Sequence, residues 1–294
     1  MGAARLHART MAGAVVCVFT LATGPGAVAQ DTAILVGAGD IASCDSWGDE
    51  ETAKLLDMIP GTVFTTGDNA YERGTRREFA ACFGHSWGRH KARIRPSLGN
   101  HDYLTRGAAG YFDYFGSAGG ARGEGYYSYD LRDWHVVVLN SNCRPAGGCG
   151  PDSPQVRWLR ADLAANSRLC TIAYWHHPRF SSGPHGNDRT VGTFWQILYT
   201  AGVEAVLNGH DHLYERFAPQ TPAGVRDDVR GIQQFTIGTG GRSLYRPRTI
   251  RSNSIVRSSS TFGVLKLNLE SAGYSWEFVA VRGGAKDKGS RRCH

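Results

Sequence analysis

Residues 203–212 read VEAVLNGHDH: an apolar run that halts at Gly209 and delivers two histidines, His210 and His212, immediately beyond it. A short apolar run without polar alternation reads as a strand buried on both faces, and the glycine that ends it as the start of a loop. Four other stretches have the same form: AILVGAGD (33–40), TVFTTGD (62–68), IRPSLGNHD (94–102) and TIAYWHH (171–177). Between them lie segments with helical signatures. DEETAKLLDMI (49–59) carries acids in its first turn, SPQVRWLRADLAAN (153–166) opens on a capping Ser and a Pro, and DRTVGTFWQILYTAG (188–202) ends on Gly. Strands alternating with helices predict an α/β domain. Further on, IQQFTIGTGG (232–241), FGVLKLNLES (262–271) and YSWEFVAV (274–281) read as strands with little helix between them, either a second sheet or an antiparallel extension of the first. The expected architecture is two β-sheets packed face to face with flanking helices. Residues 105–125, 143–154 and 216–230 read as surface loops, and the basic, glycine-rich tail from Arg282 as mobile apart from Cys293.

The chain has 294 residues, 41% hydrophobic and 20% charged, which suits a full-sized core rather than disorder. Residues 1–29 differ from the rest. Arg5 and Arg9 precede the apolar run MAGAVVCVFTLATG (11–24), and Ala27-Val28-Ala29 offers small residues for cleavage. This is the pattern of a removable secretory signal, and the run falls short of the roughly 20 residues a bilayer span needs. Residues 30–294 are therefore expected to form a single secreted domain with no membrane span. Cys44, Cys82, Cys143, Cys149, Cys170 and Cys293 remain, an even number suited to three disulfides in an oxidising environment. Only Cys143 with Cys149 can be paired from the sequence, across the short loop RPAGG. A net charge of +7 favours anionic partners, but no nucleic-acid-binding module is present and nothing encodes an oligomeric state.

The metal-ligating residue types fall at equivalent places. Asp40, Asp68, Asn100 with His101 and Asp102, His176 with His177, and His210 with His212 each stand just past the C-terminal end of an expected strand. In open α/β sheets the loops at that edge converge on one crevice, so five separated fragments can assemble one site. Singly, each fragment is an ordinary turn or a hydrogen-bonded histidine.

In order, GDI, GDNAY, GNHD, H-x-P and GHDH resemble the motifs of the calcineurin-like metallophosphoesterases and, within them, the purple acid phosphatases of single-domain type. Tyr214-Glu215-Arg216 and IGTGG extend the likeness. The resemblance implies an αββα sandwich of two mixed β-sheets flanked by helices and a binuclear metal centre. One ion, Fe(III), would take Asp40, Asp68, Tyr71 and His212; the other, divalent Zn, Fe or Mn, would take Asp68, Asn100, His176 and His210, with Asp68 bridging. Tyr71 carries the likeness to the purple enzymes. Many relatives have Asp-x-His at the first motif, whereas Asp40 is followed by Ile41 and Ala42, and Tyr71 can fill the vacancy. A phenol of pKa about 10 ionises near neutrality only beside a strong Lewis acid, hence the trivalent ion. The other reading of Tyr71 is an aromatic packed beside an ordinary divalent pair. His176 is preferred to His177 because it stands two residues before Pro178, and Asp102 is assigned to turn support. Two departures are Ala42, where the purple enzymes have glycine, and Ala173, where valine is common.

The implied function is a secreted phosphatase that hydrolyses small phosphate monoesters by attack of metal-bound hydroxide. His101 would protonate the leaving alkoxide, and His185, nine residues after His176, would contact substrate. The acid-free stretch from Arg242 to Arg257 is a candidate wall for the mouth of the site, His177 is a rim or solvent-facing histidine, and His85, His90 and His135 are surface or structural. The alternatives are a phosphodiesterase or nucleotide-cleaving enzyme on the same scaffold, or a phosphate-binding surface protein without turnover.

Overall fold

A computed structural model describes residues 1–4, 7, 32–284 and 286–294; the leader's apolar run, its cleavage site and Cys17 lie outside the described residues. In chain order the elements are β1 (Ala33–Ala38), α1 (Gly48–Met58), β2 (Thr62–Thr65), α2 (Arg76–Glu78), β3 (Ile94–Pro96), α3 (Ala109–Phe115), β4 (Tyr127–Leu131), β5 (Trp134–Val138), α4 (Pro154–Ala165), β6 (Cys170–Tyr174), α5 (Gly192–Thr200), β7 (Ala205–Asn208), β8 (Tyr214–Phe217), β9 (Gln233–Ile237), β10 (Ser254–Ser258), β11 (Gly263–Glu270), β12 (Gly273–Ala280) and β13 (Lys288–Arg292).

The strands form two mixed sheets. One has the order β13-β12-β11-β1-β2-β3, the other β10-β8-β9-β7-β6-β5-β4. In the first, β1, β2 and β3 run parallel. In the second, β5, β6, β7 and β9 do. Every residue of β5, β6 and β7 is buried, and the two-residue period of a strand sorts them. Val136, Val138, Ile172, Tyr174, Ala205 and Leu207 enter the core shared with the first sheet. Val137, Ala173 and Val206 turn the other way, against Val156 and Leu159 of α4 and Phe194, Trp195 and Leu198 of α5. Double-sided burial is why these strands read as unbroken apolar runs. Ser153 caps α4 by accepting from Val156 N at 3.3 Å, with Pro154 at the first helical position, as the sequence signals.

The C-terminal strands extend the first sheet: β11 pairs antiparallel with β1, β12 with β11, and β13 with β12. Two expectations need correction. Residues 105–125 are not simply a loop, since α3 buries Tyr111, Phe112 and Phe115, and Phe115 packs edge-on against Phe79 and Phe83. The aromatic cluster holds a helix that its flanking glycines hide from a propensity reading. The tail from Arg282 is not mobile as a whole either. Lys288–Arg292 forms the edge strand β13, and His294 donates from its backbone N–H to Glu204 Oε1 at 2.9 Å.

Three disulfides form, Cys44–Cys82, Cys143–Cys149 and Cys170–Cys293. The last ties the end of the chain to the start of β6 across a separation of 123 residues. Cys293→Ser is expected to lower stability by roughly 2–5 kcal/mol, because a long loop of the unfolded chain is then no longer closed. Urea unfolding of the oxidised protein measures this, and an unchanged midpoint would mean that β13 pairing alone holds the tail. His135 is buried between Asp130 at 3.0 Å and Asp162 at 2.8 Å, a structural ion-pair cluster.

Candidate metal centre

Three of the parallel strands, β1, β2 and β7, deliver their polar residue through a left-handed turn. Asp40, Asp68 and His210 all adopt positive φ, at 58°, 49° and 70°. Left-handed backbone is unfavourable for residues with a side chain, and its clustering at one place marks a geometry held by its surroundings. The glycines of the motifs are steric necessities. A Cβ on Gly99 would lie 2.1 Å from Asp68 Oδ1, and one on Gly67, itself at φ 90°, would lie 2.7 Å from His176 Nδ1. The loops after β1 and β2 zip together, with Ile41 N donating to Asp68 O at 3.0 Å and Tyr71 N to Ala42 O at 2.8 Å. Ala42 is thus accommodated in the first loop.

The side chains converge. Tyr71 Oη lies 3.0 Å from Asp40 Oδ1, 2.9 Å from Asp68 Oδ2 and 3.3 Å from His212 Nε2. His212 Nε2 is also 3.2 Å from Asp40 Oδ1. On the other side of Asp68, His176 Nε2 lies 3.3 Å from Asp68 Oδ2, 3.0 Å from Asn100 Oδ1 and 3.2 Å from His210 Nδ1. All seven expected ligands therefore meet in one cluster with Asp68 in the middle. The oxygen donors Asp40, Asp68, Tyr71 and Asn100 come from loops of the first sheet, and the nitrogen donors His176, His210 and His212 from loops of the second.

The cluster's electrostatics suit cations. Asp40 and Asp68 are almost completely buried, and their ion-pairing partners are histidines. Burial pushes the Asp68 carboxyl up, but the charge of His176 outweighs it and holds Asp68 far below the usual carboxylate range. Burial opposes the charge on His176, yet Asp68 raises it to about 9. Burial and the flanking carboxylates of Asp40 and Asp68 push the Tyr71 phenol well above its ordinary value, so in the metal-free chain it is a proton donor to both. His210 is driven down by burial and by the charges of His176 and His177. Protons thus neutralise a buried anionic cluster that bound cations would neutralise instead. Two overlapping groups of donors could each hold an ion: ligand atoms of Asp40, Asp68 and His176 lie within 4.8 Å of one another, as do those of His176, His177 and His210.

The surroundings are equally specific. His101 N donates to Asp68 Oδ1 at 2.8 Å, and its ring Nδ1 lies 2.6 Å from Glu72 O. Asp102 caps the GNHD turn, accepting from Gly99 N at 2.9 Å and Asn69 Nδ2 at 3.0 Å. His177 is half-buried rather than solvent-facing: its Nδ1 meets Ser141 Oγ at 2.8 Å, and its ring lies 4.5 Å from that of His210. Burial and His176 push it down to about 3. His185 is exposed, with its ring 4.2 Å from His210.

The profile of the calcineurin-like phosphoesterase family matches residues 32–214, from the first strand of the fold past the last expected ligand. The chain is a calcineurin-like phosphoesterase. The phosphoesterase is 32% identical over 122 residues to purple acid phosphatase 18 of Arabidopsis thaliana, an alignment covering 40% of this chain and 26% of that protein. Purple acid phosphatase 21 of the same plant is 34% identical over 122 residues, again 40% of this chain and 26% of the relative. The chain thus spans about a quarter of the length of these curated relatives. Its fold matches that of a purple acid phosphatase from seeds of yellow lupin (Lupinus luteus) with a TM-score of 0.70 at 18% identity, covering 90% of this chain and 54% of the lupin chain. The family implies a binuclear metal centre and phosphoester hydrolysis.

Several residues of the phosphoesterase's site escaped the sequence reading. Ser243 Oγ meets His212 Nδ1 at 2.7 Å, and Tyr245 stacks on the His212 ring at 4.1 Å. A signal existed: β9 runs parallel to β7, so the segment after IGTGG empties at the same sheet edge. Asp211, inside GHDH, is fully buried and fixes the His185 loop, accepting from Ser181 Oγ at 2.5 Å and His185 N at 3.0 Å. The arginine run divides. Arg242 lies over the Tyr71 ring at 5.4 Å and pairs with Glu72. Arg257 donates to Ser254 O at 2.9 Å, away from the site.

Proposed function

We propose that residues 30–294 are a single, exported catalytic domain that hydrolyses small phosphate monoesters, in the manner of a purple acid phosphatase. The centre would hold Fe(III) at Asp40, Asp68, Tyr71 and His212, and divalent Zn, Fe or Mn at Asp68, Asn100, His176 and His210. The observation that carries the reading is the position of Tyr71, whose phenol oxygen faces both carboxylates and His212 at 2.9–3.3 Å. A phenol oxygen among these three atoms stands where coordination needs it, which favours a ligand over an aromatic that only packs beside the centre.

When bound, the two ions supply Lewis acidity toward the phosphoryl oxygens and bring water into the range of a nucleophile near neutrality. The chain's residues do the rest. Asp68 spans both halves of the donor set. Glu72 O accepts from Nδ1 of His101, so a proton for the leaving alkoxide would come from Nε2 of the doubly protonated ring. His185, on the loop that Asp211 anchors, presents its ring beside His210 for a non-bridging phosphate oxygen. Among the described residues no helix is long and apolar enough to cross a membrane.

Metal analysis, visible absorption and hydrolysis of an aryl phosphate monoester against the matching diester test the proposal together. The loaded chain is expected to show a tyrosinate charge-transfer band and to prefer the monoester. Tyr71→Phe is expected to abolish the band while leaving the fold intact. A colourless, active wild type would reduce Tyr71 to a packing role, and strong preference for the diester would make the protein a phosphodiesterase.

A further inference from the structure

At His185 opens a cavity of about 490 Å³, lined by residues 183–187 and Arg189 together with Arg248, Thr249 and Arg251 from a second segment. No acidic side chain lines it. Its walls are pinned. Arg248 N donates to Ser182 O at 2.7 Å, Arg251 N to Ser182 Oγ at 3.0 Å, and Arg251 Nε to Ser181 O at 2.9 Å. Behind that turn, Asp211 holds Ser181 and His185, and Glu215 accepts from Ser182 N at 2.9 Å. The nearest acid in sequence, Asp188, is engaged by Thr190 N at 2.8 Å and Thr190 Oγ1 at 2.6 Å. The guanidinium groups of Arg189 and Arg248 make no hydrogen bond or ion pair among the described residues.

A run of surface arginines is ordinarily a solvated loop. This one is different because two segments, hydrogen-bonded to each other, bring their arginines to one concavity, and the His185 ring that borders the cavity also touches His210. Guanidinium forks suit phosphate oxygens, which accept paired hydrogen bonds. We propose that this cavity is a second anion site, and that the preferred substrate is a phosphate ester bearing a further phosphate group remote from the one cleaved. The inference rests on the phosphatase reading of the adjoining centre: the cleaved phosphate sits at the Asp68 cluster while the distal one is gripped by Arg189, Arg248 and the free end of Arg251.

The test uses the metal-loaded chain with alkane-α,ω-diol bisphosphates of increasing tether length and with the alkyl monophosphates of matching length, measuring turnover and equilibrium binding in parallel. At one or more tether lengths the bisphosphate is expected to exceed the monophosphate by about tenfold in kcat/KM, chiefly through KM, as charge-assisted contacts to one additional anion warrant. The double variant R189Q/R248Q is expected to lose that advantage and to turn over the monophosphates as the wild type does. Equal handling of both series by the wild type, or an advantage that survives in the double variant, overturns the second site. If neither series is hydrolysed but the bisphosphate still binds more tightly, and only to the wild type, the phosphatase reading fails and the anion site stands.

Discussion

Asp68→Asn is expected to leave a folded protein that retains at most one ion and hydrolyses an aryl phosphate on the order of a thousandfold more slowly. The amide keeps the shape of the carboxylate and can still accept from His101 N, now at 2.8 Å, so the loop after β2 has no reason to move. What disappears is the negative charge between the two halves of the donor set, 2.9 Å from Tyr71 Oη and 3.3 Å from His176 Nε2. Gly99 leaves the room that the residue-68 side chain occupies, since a Cβ there would lie 2.1 Å from Asp68 Oδ1, and the isosteric amide fills the same space. Metal content and turnover measured on the same sample decide it. Two tightly held ions with near-normal turnover would show that Asp68 is not shared.

His101→Ala is expected to separate chemistry from metal binding. The side chain contributes no ligand atom in the proposed centre; its backbone N–H supports Asp68, and alanine preserves that bond. Both ions should stay. Turnover of alkyl phosphates, whose alkoxide must be protonated as it departs, is expected to fall by roughly 10²–10⁴, the usual range for a lost general acid. An ester of p-nitrophenol, which leaves readily as the anion, should be affected far less. An equal loss for both leaving groups would instead assign His101 to phosphate positioning.

The convergence of the strand-end residues was legible because the same form recurs, an apolar run and then a polar residue, and because parallel strands must empty at a common edge. Asp40, Asp68 and His210 were ordinary turn residues taken singly, and only the recurrence of the pattern at successive strand ends placed them together. Features fixed by distant partners were not legible. Tyr245 and Ser243 lie after a strand whose place beside β7 is a fact of sheet order. The burial of His177 comes from Ser141 at the end of β5, a strand the reading did not single out. α3 is held by Phe79 and Phe83 from another segment, and β13 by β12 and a disulfide to β6. The two remaining disulfide pairings were unreadable for the same reason: Cys44 and Cys170 find partners 38 and 123 residues away.

The division of donors between the sheets, oxygen on one and nitrogen on the other, makes cofactor choice a property of the interface. Neither half of the sandwich offers a mixed coordination shell by itself, so how hard or soft a pocket the ions meet is decided by how the halves abut. Conversely, ions caught in that seam rivet the two layers. Each decade of free ion above its dissociation constant adds about 1.4 kcal/mol per site to the folded state. Affinity for the cations and stability of the folded sandwich would therefore be thermodynamically linked.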